Sequence, residues 1–73
     1  MKEHKLDYRN LYCPEPIILL NKKIQEISAQ ETIRILATDP AFHEEITAWC
    51  QQKGHHLIKL RKSFEIEAII LTN

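Results

Sequence analysis

The chain has 73 residues, 44% of them hydrophobic and 27% charged, with ten basic residues against ten acidic ones. That size supports one thin core, since so short a chain buries only about 60% of its unfolded surface. Balanced charge gives no electrostatic reason to expect nucleic-acid binding, and no apolar run approaches the roughly 20 residues that span a bilayer.

Residues 1–73 read as a single domain. The opening MKEHKLDYRN lacks the apolar core of a secretory signal, so the chain is expected in the cytoplasm. In a reducing compartment the two cysteines, Cys13 and Cys50, are expected as free thiols. With a single glycine, turns fall to Asn, Asp, Pro and Ser, and the Gly-rich loops that cradle phosphates are excluded. No cofactor is expected.

KLDYR alternates, with Leu6 and Tyr8 on one face and Lys5, Asp7 and Arg9 on the other, which predicts a short strand. From Pro14 the period changes. Ile17, Leu20, Ile24 and Ile27 recur at spacings of three and four, predicting a helix that ends near Ser28. Pro14 suits its first position, with Cys13 as N-cap. Leu19 falls opposite the apolar stripe and is expected on the surface, available to a partner.

ETIRILAT alternates again, with Ile33, Ile35 and Ala37 on one face. TDPAFHEEITAWCQQKG predicts a second helix, with Asp39 as N-cap, Pro40 first, and Phe42, Ile46, Trp49 and Cys50 inward. Glu44 and Glu45 suit its positive N-terminal end, and Lys53 with Gly54 closes it. HLIKLRK and SFEIEAIILT predict a hairpin whose second strand buries Phe64, Ile66, Ala68 and Ile70.

The order is β-α-β-α-β-β. Two modest helices cannot cover both faces of four strands. The expected fold is a two-layer α/β sandwich with a four-stranded mixed sheet and both helices on one face. Leu36, Leu57, Ile69 and Leu71 are expected on the open face.

LYCPEPI holds the chemistry. Cys13 falls at the strand-to-helix turn, at the sheet edge where ligands bind in open α/β folds. A helix N-terminus favours a thiolate. Pro14 and Pro16 lack N–H groups, however, and the Glu15 charge opposes ionisation. The motif is expected to present a moderate thiolate on a stiff backbone. Cys50 reads as a buried structural thiol, with a resolving cysteine as the alternative. His43, His55 and His56 fit no metal-ligand spacing, and His55 and His56 should point to opposite faces. Lys22 and Lys23, with Lys59, Arg61 and Lys62, form a solvated surface or a basic rim for partners.

These residues resemble the TusA/SirA family of small sulfur-carrier proteins. The resemblance rests on LDYRNLYCPEPI, the ATDPA turn, AWC and the paired final strands. It implies that Cys13 accepts sulfane sulfur from a cysteine desulfurase and passes it to a downstream acceptor protein, for instance toward tRNA 2-thiolation. It also implies transient partners and hence a monomer. Pro14, Glu15 and Pro16 are the motif's supporting residues. Three departures stand out: Asn10 where the family commonly has glycine, Tyr12 where the residue before the cysteine is often basic, and Thr38 ahead of Asp39 and Pro40. Asn10 tolerates left-handed backbone, so the turn should survive. Tyr12 weakens one thiolate stabiliser and bears on partner choice. The competing functions are a non-catalytic regulatory or interaction domain and a thiol redox switch.

Overall fold

Alternation builds the sheet. In the computed structural model, which describes residues 2–73, the strands are β1 (Glu3–Tyr8), β2 (Thr32–Ala37), β3 (His56–Lys62) and β4 (Ile66–Leu71). The helices are α1 (Glu15–Ile24), between β1 and β2, and α2 (Phe42–Lys53), between β2 and β3. The sheet order is β1-β2-β4-β3. β1 runs parallel to β2, while β4 runs antiparallel to both β2 and β3.

One face of this sheet is buried. Tyr8, Ile33, Ile35, Ala37, Ile66, Ala68 and Ile70 form a single core with Leu20 of α1 and Phe42, Ile46, Trp49 and Cys50 of α2. The opposite face presents Lys5, Asp7, Arg34, Leu36, Glu67, Ile69 and Leu71, as their registers with Thr32 and its neighbours require. Leu36, Ile69 and Leu71 remain half-buried there. The architecture is the two-layer α/β sandwich expected from the sequence.

Four details differ from the periodic reading. Leu57 pairs with Ile70 and packs on the core, because a bulge between Leu57 and Lys59 resets the alternation of β3. Ile58 takes up the exposed position instead. Phe64 is 100% exposed, since β4 starts at Ile66 and residues 63–65 form the hairpin turn. Helix α1 stops at Ile24, not near Ser28, although Ile27 still packs on the core.

Leu19 is the fourth. It is half-buried and packs against the core, while Ile18 is the exposed residue. Pro16 is fully buried in line with Leu20, four residues on. That rotates the buried face of α1 toward Leu19 and leaves Ile18 opposite. Leu19 therefore lies on the core side of α1 and not on the free surface expected for it.

Gly54 closes α2 in a left-handed conformation (φ 78°), its N–H returning to the Cys50 carbonyl. Asn10 is also left-handed (φ 67°) and carries the turn after β1 as expected. No helix among the described residues is long and apolar enough to cross a membrane.

Candidate functional site

The segment between β1 and α1 is pinned at each step. The Asn10 N–H donates to the Thr38 hydroxyl at 2.8 Å, and the Leu11 N–H returns to the Tyr8 carbonyl at 3.3 Å. The Glu15 N–H donates to the Tyr12 carbonyl at 2.9 Å. The peptide bond between Cys13 and Pro14 is cis. Pro14, not Cys13, occupies the N-cap of α1, and Glu15 is the first helical residue. Cys13 thus lies one residue further upstream than the proline spacing predicts. The reason is that Glu15 spends its amide on Tyr12, closing a turn before the helix begins.

Cys13 is exposed, and both of its polar anchors are carboxylates from the far side of the sequence. Its N–H donates to Asp39 Oδ2 at 2.7 Å. Its Sγ donates to Glu45 Oε2 at 2.5 Å. Asp39 is buried at the turn into α2, where Oδ1 also accepts the Ala41 N–H at 3.1 Å and its carbonyl accepts the Phe42 N–H at 3.0 Å. The helix itself starts at Phe42, so Asp39 caps a turn ahead of α2 and not the first helical residue, as the sequence reading had it.

This geometry sets the charge state of the thiol. The hydrogen bond to Glu45 pushes the Cys13 thiol above its ordinary value, with desolvation and the charges of Glu45 and Asp39 acting in the same direction. The expected thiolate bias of a helix N-terminus is overridden. The moderating acid is also reassigned: Glu45 contacts the sulfur, whereas Glu15 is not among the causes of the shift. Glu45 Oε1 is buried and has no hydrogen-bond partner among the described residues.

The remaining candidates separate into two groups. Tyr12 is 62% exposed directly before Cys13. Arg61 and Lys62 are exposed on the last residues of β3, beside the hairpin turn. That turn lies on the same sheet edge as the Cys13 segment, because Tyr8 pairs with Ala37 and Ala37 with Ile66. Arg9 ties the two together, bonding Asp7 at 2.8 Å and Glu65 at 3.2 Å. Lys22 and Lys23 sit in the last turn of α1, away from Cys13, and Lys23 pairs with Glu26 at 3.6 Å. They do not join the site.

Cys50 is buried, and loss of hydration pushes its thiol up to about 11. Both cysteines are free. Cys50 follows Glu45 by five helical positions, roughly 7 Å further along the axis and on another side of it. A resolving role has no geometric basis. His55 stacks on Trp49 with ring centroids 5.2 Å apart, and His56 pairs with Leu71 on the open face. No three potential metal ligands are gathered among the described residues.

Asp39 and Glu45 were visible in the sequence only as helix-start acids. Their spacings of 26 and 32 residues from Cys13 follow from the fold, and no local pattern reveals them.

Comparison with known proteins gives the family. The family described as Sulfurtransferase TusA matches residues 4–72. A protein named Sulfur carrier protein TusA, from Buchnera aphidicola subsp. Baizongia pistaciae (strain Bp), is 49% identical over 55 residues, which cover 75% of this chain and 70% of that protein. The chain belongs to the TusA family of sulfur-carrying sulfurtransferases.

Proposed function

We propose that Cys13 is the residue that carries the sulfur. It accepts a sulfane sulfur from the persulfide of a cysteine desulfurase and hands it to a downstream acceptor protein, with tRNA 2-thiolation as the candidate destination. The observation that carries this reading is the contrast between the two thiols. Cys13 is exposed at the strand-to-helix turn on a pinned backbone, at the edge where open α/β sheets generally take ligands, while Cys50 is buried and protonated.

The mechanism is thiol exchange. The Cys13 sulfur attacks the outer sulfur of the donor persulfide, the donor thiolate leaves, and a second thiol repeats the attack on the loaded Cys13. Pro14 and Pro16 restrict the backbone beside the sulfur, and Glu15 closes the turn that presents it. Tyr12, Arg61 and Lys62 supply partner contacts around it. The protein works as a cytoplasmic monomer and needs no cofactor, membrane or direct nucleic-acid contact.

Incubation with a cysteine desulfurase and cysteine, followed by intact mass measurement, tests this. One added sulfur is expected, removable by dithiothreitol and absent in Cys13→Ser. Sulfur retained in Cys13→Ser, or none gained by the wild type, refutes the assignment.

A further inference from the structure

Two carboxylates contact Cys13, a third follows it by two positions, and they are not equivalent. Asp39 commits both oxygens to backbone amides, those of Cys13 and Ala41. Glu15 is exposed on the first turn of α1. Glu45 alone touches the sulfur. Among the described residues the Cys13 thiol is the only hydrogen-bond donor to the Glu45 side chain, and no Lys, Arg or His pairs with it. A carboxylate of that kind is free for proton transfer, because its charge is not consumed by a cation or a backbone cap.

We infer that Glu45 is a catalytic residue of the sulfur relay, taking the Cys13 proton when sulfur is loaded and returning it when sulfur leaves. This rests on the assignment of Cys13 as the sulfur-bearing thiol. In loading, Glu45 Oε2 accepts the proton from Sγ, and the freed electron pair forms a bond to the outer sulfur of a donor R–S–S–H. The donor S–S bond breaks, and its electron pair departs on the inner sulfur as a thiolate. Cys13 becomes Cys13–S–S–H and Glu45 is neutral. In unloading, an acceptor thiolate attacks the outer sulfur, the Cys13 S–S bond breaks, and the pair stays on Sγ. Glu45 returns its proton there and regains its charge. Total charge is the same before and after each step, and no external oxidant or reductant enters.

The unloading half explains why such a group is needed. A thiol departs faster the more acidic it is. With Glu45 ionised, its contact with Sγ makes this thiol less acidic than usual and would oppose the thiolate developing as the S–S bond breaks. A Glu45 that holds the proton instead donates it to the departing sulfur, and it is the one acid in contact with it.

The test uses the full chain, glutathione persulfide as donor and glutathione as acceptor. Loading and unloading are followed by intact mass, and iodoacetamide alkylation of Cys13 is followed across pH. Glu45→Gln keeps a hydrogen-bond acceptor but cannot hold the proton. Its Cys13 should alkylate about three- to tenfold faster near neutral pH, since the negative charge is gone. Its unloading should slow by about ten- to a hundredfold, the lost proton donor outweighing the gain from a more acidic leaving thiol. Glu44→Gln, an exposed neighbour with the same charge change, should leave both rates unaltered. Circular dichroism melts establish that each variant folds, and Glu45→Asp should restore part of the unloading rate if Glu45→Gln does not fold. Unloading at the wild-type rate in folded Glu45→Gln overturns the proton relay and leaves the Cys13 assignment intact. A wild-type chain that gains no sulfur on Cys13 overturns the assignment and the relay with it.

Discussion

Asp39 accepts the backbone amide of Cys13 at 2.7 Å, and with its other oxygen it accepts the amide of Ala41. One buried carboxylate therefore fastens the residue ahead of α1 to the turn ahead of α2. Replacing it orphans two amide donors at once. Asp39→Ala should cost about 1–3 kcal/mol, and Asp39→Asn less, because one oxygen still accepts. Urea unfolding measures the loss. Amide exchange at Cys13 should speed up in both variants, whereas wild-type exchange in Asp39→Ala would show that the contact does not hold this segment.

Cys50 gives a pH dependence with a defined sign. Its folded thiol titrates near 11, above the ordinary value of 9.0. The folded state therefore holds its proton where the unfolded state has lost it. Stability from this group is full below about pH 9 and falls as pH rises through about 11, by up to about 3 kcal/mol. Cys50→Ala should unfold more easily at neutral pH yet lose less stability between those limits. Native alkylation near pH 8 should label Cys13 and spare Cys50 until urea is added.

At the other end of the scale, Asp7 is held down to about 2 by its hydrogen bonds from Arg9. A depressed carboxylate contributes stability above the ordinary carboxylate range and loses it as pH falls toward 2. Asp7→Asn should flatten the acid limb of the stability curve. Arg9→Met removes the bridge to Glu65 as well. It should raise amide exchange at Ser63, whose N–H bonds the Glu65 carbonyl across the hairpin turn. Both effects should shrink in high salt, since the groups are exposed.

Leu20 and Phe64 make a contrasting pair. Leu20 has no exposed surface, and Leu20→Ala should cost about 2–5 kcal/mol, a large share of what a small domain has. Phe64 is fully exposed, and Phe64→Ser should alter stability by no more than about 0.5 kcal/mol. Denaturant midpoints for the two variants check both. A Phe64→Ser loss as large as that of Leu20→Ala would return Phe64 to the core.

These outcomes mirror what periodicity carries. Alternation in TIRILA and IEAIIL, and the three-and-four spacing after Pro14, place β2, β4 and α1 because burial on one face is written locally into the letters. Alternation fails where geometry inserts a residue or turns the chain: the bulge flips Leu57 inward, and the hairpin turn removes Phe64 from its strand. The resemblance locates Cys13, and the turn chemistry of Asn10 is legible in the residue type. The acids that govern the sulfur are not legible, because Glu45 reaches Cys13 only once α2 lies beside the head of α1. Asp39 and Glu45 carry tertiary information in positions where local rules already have a satisfactory explanation for an acid.

The bulge in β3 has a consequence for how the protein meets copies of itself. β3 and β1 are the outer strands of an open sheet, each offering backbone groups that another chain could extend. In β3 the extra residue breaks the regular spacing of those groups, and exposed Arg61 and Lys62 place like charge at its end. A broken spacing and like charge both disfavour pairing two such edges in register. A chain with so small a core is thereby guarded against strand-to-strand accretion while its cysteine edge stays open to visitors.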